Sequence, residues 1–318
     1  MTDFTTFGTA NTGTRYTAMG RNLAKSIEPV TDGTEAMRAA GIDWQVCEMK
    51  LADIYESSML PCPGNAGDIS ILTRSDNGMI VGNNGKRYNV VQNDVLAELG
   101  DAIIQVRPDA RYVAGGDLKG GKLTFLMLEL AEGIDLGGGD AVNRHILLYK
   151  GHDGAPIVGM GVNQRPFCTN QWTSLTAGKP RIVSIRHTAS ADDRIKQASH
   201  ILQAAFTQFD EWDQALRKLV AVPARLSDYK TQICGARPDE DGRAMIGWEK
   251  RVNDLFAEYG EDFNSNLVGT AAGVVMAAQG ADEHRGRCSK SRDEQRVTRL
   301  LTGGYPMGQR AMEAFATV

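Results

Sequence analysis

The chain has 318 residues, of which 42% are hydrophobic and 23% carry a charge, and its formal net charge is -4. This balance is that of a folded globular protein and excludes a disordered or fibrous chain. The negative charge also excludes a general attraction to polyanions, so any nucleic-acid binding must come from local clusters of basic residues.

Cysteine usage and hydropathy predict a cytoplasmic protein. The five cysteines are scattered and no CxxC pair occurs, which is typical of thiols in a reducing compartment and not of disulfides or a zinc site. The N-terminus carries no recognisable secretory signal. The longest run of small apolar residues, Ala271 to Ala278, is too short to span a bilayer, so no membrane association is expected.

The sequence predicts three parts. Residues 1–40 comprise a Thr- and Gly-rich arm, expected to be mobile or ordered by a partner, and a short helix ending at Gly41. Residues 41–220 are predicted to form an α+β core. Residues 221–318 are predicted to form a helical C-terminal region.

The core begins with strands joined by tight turns. The segments Asp76–Gly78 and Asn83–Gly85 both end in Asn-Gly, which provides the positive φ angles of two-residue hairpin turns. Three antiparallel strands are therefore predicted within "ISILTRSDNGMIVGNNGKRYNVV". A helix with Asn93 as its N-cap is predicted to follow.

Further strands are predicted at "RYVAGG", "KLTFLMLEL", "RHILLYKG", "PIVGMGVN" and "RIVSIRH". The segment Gly116–Thr124 is close to a phosphate-binding P-loop, but Leu123 replaces the Ser or Thr that would hold magnesium, and a strand follows. A glycine-rich hairpin is predicted there instead.

A long helix is predicted to begin after the cap residue Ser190. Its apolar stripe has helical spacing and consists of Ile195, Ala198, Leu202, Phe206, Phe209, Leu216 and Leu219. The predicted fold is therefore α+β: an antiparallel β-meander packed on a long helix, with a helical C-terminal region.

The stretch "GVNQRPFCTNQW", residues 161–172, combines amides, an arginine and two aromatic rings. Arg165 and the amides could hydrogen-bond phosphates or base edges while Phe167 or Trp172 stacks on bases. Alternatively, the amides close the backbone hydrogen bonds of a turn and the rings belong to the core. The sequence leaves both interpretations open.

Two clusters of basic residues favour the binding interpretation. The first contains Lys179, Arg181, Arg186, His187, Arg194 and Lys196, and the second extends from Arg285 to Arg299. An acidic chain that concentrates positive charge in this way could track a nucleic-acid backbone. Solvated helix faces are the alternative explanation.

An enzyme is a further alternative. Cys168 could act as a nucleophile if His187 or another histidine lay beside it. The histidines could also hold a metal with Asp153, although none of them has metal-ligand spacing.

Several motifs resemble the phage and plasmid-like proteins grouped as domain of unknown function 932. They are "GIDWQV", "RYNVVQN", "GHDGAPIVGMGVNQRPFCTNQW", "IRHTASADDRIKQA" and "NLVGTAAGVVMAAQGADEH", from Gly41 to about Arg287. The residues that match the family pattern are Arg165, Cys168, Asn170, Arg186, His187, Thr188, Gly269 and Thr270. The resemblance implies a mobile-element context. Phage cassettes commonly carry single-strand annealing proteins, and the predicted meander and long helix of this chain are similar, at the level of the fold, to the plan of those of the RecT, Red-beta and Rad type.

The leading hypothesis is a phage- or plasmid-encoded homo-oligomer, a ring or filament, that binds single-stranded DNA and assists annealing or recombination without cofactor or metal. The residues expected to bind the strand are Arg165, Phe167, Asn170, Trp172, Lys179, Arg181, Arg186, His187, Arg194 and Lys196. The alternatives are an interaction protein that binds a host factor, and a Cys/His-dependent or metal-dependent enzyme.

Overall fold

The protein is described from a computed structural model. The structure describes residues 4–6, 30–85, 88–135, 141–152, 156–164, 171–172, 182–185, 191–239, 242–260, 266–286 and 304–316. By its contacts the chain divides into two compact units. Unit 1 comprises residues 1–131, 145–161 and 182–205, and unit 2 comprises residues 132–144, 162–181 and 206–318.

The described strands form two sheets. In chain order they are β1 (Phe4–Thr6), β2 (Val46–Lys50), β3 (Ile69–Arg74), β4 (Ile80–Gly85), β5 (Arg111–Leu118), β6 (Leu123–Asp135), β7 (Ala141–Gly151), β8 (Ile157–Gln164), β9 (Gln171–Trp172) and β10 (Ile182–Ile185). The larger sheet has the order β1-β5-β6-β7-β8-β10, with β9 paired to β8, and the smaller has the order β2-β3-β4.

The described helices are α1 (Gly33–Ala40), α2 (Leu51–Ser57), α3 (Asp94–Val106), α4 (Ala191–Ala221), α5 (Leu226–Cys234), α6 (Arg243–Tyr259), α7 (Ala271–Gly280) and α8 (Pro306–Ala314). A π-helical turn, Ala281–Arg285, continues α7. The predicted α+β class is confirmed, because a meander of neighbouring strands is followed by one long helix and then by the described helices α5 to α8. Within the described ranges, no helix combines the length and apolarity needed to cross a bilayer.

The smaller sheet confirms one predicted hairpin and corrects the other. β3 and β4 are antiparallel, and Gly78 in their connection has a φ of 71°. The second turn is wrong: Asn84 and Gly85 continue β4 opposite Ser70 and Ile69. Residues 88–92 form no strand. The third strand is instead β2, which pairs with the other side of β3 and satisfies its backbone.

The segment Gly116–Thr124 is a hairpin, as predicted. β5 and β6 are antiparallel with Leu118 opposite Leu123. The turn between them has positive φ angles at Lys119, Gly120 and Gly121. Glycine adopts such angles without a steric penalty, so this segment closes two strands and does not open a helix around phosphate.

The long helix α4 is confirmed, and its start is seen at Ala191. Of the described stripe residues, Ala198, Leu202, Phe209, Leu216 and Leu219 are buried and Phe206 is half-buried. In unit 1, α4 lies close to β8 at Gly159, where a Cβ atom would come within 2.8 Å of Ile201. The meander therefore packs on the long helix, as the sequence predicts.

The core of unit 2 is built mainly from the helices that follow α4. Its largest contributor is α7, all of whose residues are buried. Around α7 lie apolar residues of the later half of α4, α5, α6 and α8, including Trp212, Ile233, Leu255 and Ala311. The positions of α6 and α8 against α7 determine where their polar side chains are displayed.

Candidate nucleic-acid interface

Helix α6 carries one apolar face and one basic face. Met245, Trp248 and Leu255 are buried at helical spacing, and the Trp248 indole N–H donates to the Gly235 carbonyl at 2.8 Å. This hydrogen bond fixes the rotation of the helix about its axis. The opposite face is consequently turned away from the core.

The π-helical turn and α8 form the other walls of the site. Asp282, in the turn, is buried, and its Oδ2 accepts hydrogen bonds from the backbone N–H groups of Met307 (2.7 Å) and Gly308 (3.1 Å). The carboxylate therefore caps the N-terminus of α8 and anchors this helix beside the turn. π-helical turns are rare and are frequent at functional sites.

Together these three elements line an open cavity of about 930 Å³ within unit 2. α6 contributes a stripe at helical spacing: Arg243, Ala244, Ile246, Gly247, Lys250, Arg251 and Asp254. The turn and α8 contribute Ala281, Asp282, Arg285, Gly286, Pro306, Met307 and Arg310. Among the described residues, the lining has five cationic side chains and two carboxylates, so this part of it is electropositive although the chain as a whole is acidic. We call this site the cationic cavity.

Two of the five cations have carboxylate partners. The Lys250 ammonium lies 2.5 Å from Oδ2 of Asp254. The Arg285 Nε–H donates to Oε1 of Glu258 at 2.7 Å, and Oε2 of this glutamate lies 3.2 Å from Nδ1 of His284. Burial alone would raise the pKa of Glu258, but the hydrogen bonds and charges of His284 and Arg285 lower it below the ordinary value. Glu258 is therefore held as a carboxylate.

The other three cations, Arg243, Arg251 and Arg310, form no ion pair within the part of the chain that the structure describes. The Arg251 Nε–H donates to the Cys234 carbonyl at 3.1 Å, which orients this guanidinium without neutralising it. The Arg310 Nε atom is buried without a hydrogen-bond partner. Guanidinium groups bind phosphate oxygens in a bidentate manner, so the cationic cavity is chemically suited to a phosphate-bearing ligand.

Most of the residues predicted from the sequence lie outside the described residues. These are Arg165, Phe167, Asn170, Lys179, Arg181, Arg186 and His187. Trp172 pairs with Asn163 through the backbones of β9 and β8, and Arg194 lies in α4, but their side chains are not described. Lys196 is on α4 with 73% of its side chain exposed, 3.9 Å from the Asp193 carboxylate.

Most residues of the alternative enzyme hypothesis also lie outside the described residues. Cys168, His187 and Asp153 lie outside the described residues, and His145 and His152 are both buried. Within the described ranges, no group of three or more His, Cys, Asp or Glu side chains could hold a metal ion.

Of the cationic cavity, the sequence reasoning identified only Arg285, as part of the second basic cluster. The missed signal was the spacing in "RAMIGWEKRVND", where Arg243, Gly247, Lys250 and Arg251 fall on one helical face opposite the apolar stripe. Arg310 had no local signal, because its role depends on the packing of α8 beside the π-helical turn.

A second polar cluster is buried in unit 1 around Lys150. Its ammonium donates to the Val91 carbonyl at 2.6 Å and to Oδ1 of Asn93 at 3.3 Å, and lies 3.3 Å from Nδ1 of His152. Burial lowers the pKa of Lys150 to about 7. Burial, together with the charges of Lys150 and Arg74, lowers the pKa of His152 to about 3.

Asn93 connects this cluster to the start of the core. It stands at the N-cap position of α3, but its side chain makes no capping hydrogen bond, so the predicted capping role is wrong. The amide instead donates to the carbonyls of Ile42 and Trp44 and accepts from the Thr124 hydroxyl. Its position among buried backbone carbonyls determines its bonds, because these acceptors would otherwise be left without donors.

The comparison with protein families agrees with the motifs. The family model described as "Domain of unknown function (DUF932)" matches residues 81–302, which is more than half of the chain. The chain belongs to this family. Of the five cations of the cationic cavity in this family member, Arg310 alone lies beyond the matched segment. No curated protein and no solved structure matches the chain.

Proposed function

We propose that this family member binds single-stranded DNA and assists strand annealing or recombination for a phage or plasmid in the host cytoplasm. The observation that carries the proposal is the cationic cavity, where three guanidinium groups lie together without a carboxylate partner in the described chain. Such a concentration of unpaired charge is unfavourable in the free protein, and a bound phosphate backbone offsets it.

The charge distribution determines how a polyanion would bind. The chain has a net charge of -4, so long-range attraction does not bring DNA to the surface as a whole. Binding must depend on short-range contacts with a few arginines, and arginine suits phosphate better than lysine does. Lys196 and the predicted residues of the segment 165–194 are proposed as further backbone contacts.

The fold is compatible with this role by analogy alone. An antiparallel meander on a long helix is also the plan of single-strand annealing proteins of the RecT, Red-beta and Rad type. No metal and no nucleotide is invoked, because annealing joins complementary strands by base pairing and breaks no covalent bond.

The test is the affinity of a fluorescent oligo-dT across a salt series for Arg243→Ala and Arg310→Ala. Each variant removes one guanidinium from the cationic cavity, so each is expected to bind more weakly. The slope of log affinity against log salt should become shallower by about 0.7 for each lost phosphate contact. Lys230→Ala, on α5 and outside the cavity, removes one exposed charge and is the matched control.

If the two arginine variants bind oligo-dT with the affinity and salt slope of the unmodified protein, the cavity does not contact the strand. If the unmodified protein fails to bind oligo-dT at low salt, the proposed function is wrong, and the interaction-protein hypothesis takes its place.

A further inference from the structure

The cationic cavity has an apolar part that phosphate binding does not explain. Ile246 projects from α6 with 66% of its surface exposed, although it lines the cavity. Pro306 and Met307 lie on the α8 side, and Ala281 lies on the turn. A phosphate group gains nothing from these side chains, because they offer neither charge nor hydrogen-bond donors.

An apolar wall beside unpaired arginines matches the two halves of a nucleotide. In proteins that bind single strands, cationic groups follow the backbone. A base that leaves the stack packs between aromatic or apolar side chains. The cavity has a volume of about 930 Å³, in the range of sites that enclose small organic ligands. It therefore has room for a base and its sugar, and exceeds what a phosphate alone needs.

We infer that the cationic cavity receives one unstacked nucleobase of the bound strand, packed against Ile246, with the adjoining phosphate on Arg251 and Arg310. This inference rests on the proposed function and specifies how the strand is selected. A base in a duplex is stacked and paired, so placing it in a cavity requires extrusion from the helix. A single strand avoids the cost of breaking the base pair, and the site should discriminate against duplex DNA.

Two substitutions on α6 test the contact with the base, and neither of them replaces a cationic residue. Ile246→Ala removes the exposed apolar contact. Gly247→Leu introduces a side chain on the cavity-lining face: a Cβ atom at this position is in ordinary contact with Nη1 of Arg251, at 3.7 Å, and meets no other atom within 4 Å. Leucine also has a higher helix propensity than glycine, so loss of folding is not expected. Phe256→Ala, on the same helix but outside the cavity, is the control for an exposed apolar residue.

The experiment compares the dissociation constants of a dT oligonucleotide and an abasic deoxyribose-phosphate chain of equal length, with the duplex as a third ligand. The unmodified protein should bind dT about tenfold more tightly than the abasic chain, since burying an aliphatic side chain such as that of Ile246 contributes on that scale. In Ile246→Ala and Gly247→Leu this ratio should fall towards one while affinity for the abasic chain is retained. Phe256→Ala should keep the ratio of the unmodified protein.

The outcomes separate this inference from the proposed function. Equal, salt-sensitive binding of dT and the abasic chain by the unmodified protein would overturn the base site and leave strand binding intact. A dT preference that both α6 variants retain would place the base elsewhere and also overturn the inference. Absence of binding to either ligand would overturn the inference and the proposed function together.

Discussion

At Nζ of Lys150, protein atoms replace water almost completely. The Val91 carbonyl, Oδ1 of Asn93 and Nδ1 of His152 lie within hydrogen-bonding distance, but no carboxylate does within the described residues. Three acceptors can satisfy the three N–H groups of the ammonium, but their hydrogen bonds do not fully offset the free energy of removing its charge from water. This explains why the pKa of Lys150 falls to about 7.

The lowered pKa of Lys150 predicts a pH dependence of stability. Between pH 7 and the ordinary pKa of a lysine, the unfolded chain holds a proton that the folded chain has released. The free energy of unfolding should therefore rise with pH in this window, by up to about 1 kcal/mol per pH unit. In Lys150→Met this rise should be absent, as measured by urea unfolding at pH 7, 8, 9 and 10.

The control for this prediction is Lys218→Met, which removes an exposed lysine of α4. Its pH dependence should follow that of the unmodified protein. If Lys150→Met also follows it, the Lys150 side chain retains an ordinary pKa in the folded protein, and the burial argument is wrong.

Some residues of the cationic cavity could be predicted from the sequence and others could not, because only some belong to a local sequence pattern. The basic stripe of α6 is present in the sequence and could have been recognised from its helical spacing. The cap that Asp282 places on α8 could not, because it joins residues 25 positions apart. The spacing of residues within a single helix does not predict a hydrogen bond between two separate elements.

At the scale of elements, Gly100 shows how one missing side chain sets a packing distance. A Cβ atom at this position of α3 would lie within 2.6 Å of ring carbons of Tyr112 in β5, and closer still to its hydroxyl oxygen. This hydroxyl donates to the Ala97 carbonyl (3.0 Å) or to Oδ1 of Asp101 (2.9 Å). The glycine thus lets the sheet approach the helix closely enough for Tyr112 to bond to it.

Gly100→Ala should therefore destabilise the protein, by about 1–3 kcal/mol from overpacking. The measurement is the midpoint of urea unfolding. Gly247→Ala is the matched control, because it also replaces a mid-helix glycine but meets no atom closer than 3.7 Å. It should stabilise the protein by up to about 1 kcal/mol through helix propensity. A similar shift in both variants would contradict the packing argument.

The elements also show where short motifs succeed and fail. Both Asn-Gly segments allow a turn, but Asp76–Gly78 forms one and Asn83–Gly85 does not. Asn84 donates its side-chain amide to the His152 carbonyl at 3.0 Å, and the backbone around it pairs with β3. Turn chemistry is thus permissive, and the pairing of the surrounding backbone decides the outcome.

At the scale of the whole molecule, the predicted assembly has a direct test. We propose a homo-oligomer on DNA, since annealing proteins align strands by coating them. Mass photometry with a long oligo-dT should detect complexes of several chains on one strand, with fewer chains at high salt. Arg310→Ala should require a higher protein concentration to form them. A single chain per strand at saturation would contradict the oligomer.

Helix α8 lies beyond the segment that the family model matches, yet it supplies a wall of the cavity and packs into the core of unit 2. Family members could therefore share residues 81–302 and still differ in the third wall of this site. Asp282 lies within the matched segment and accepts hydrogen bonds from the N-terminus of α8, so a family member that keeps this carboxylate could bind a different C-terminal helix in the same place. Ligand preference in the family could then diversify through the C-terminal tail while the rest of the fold stays the same.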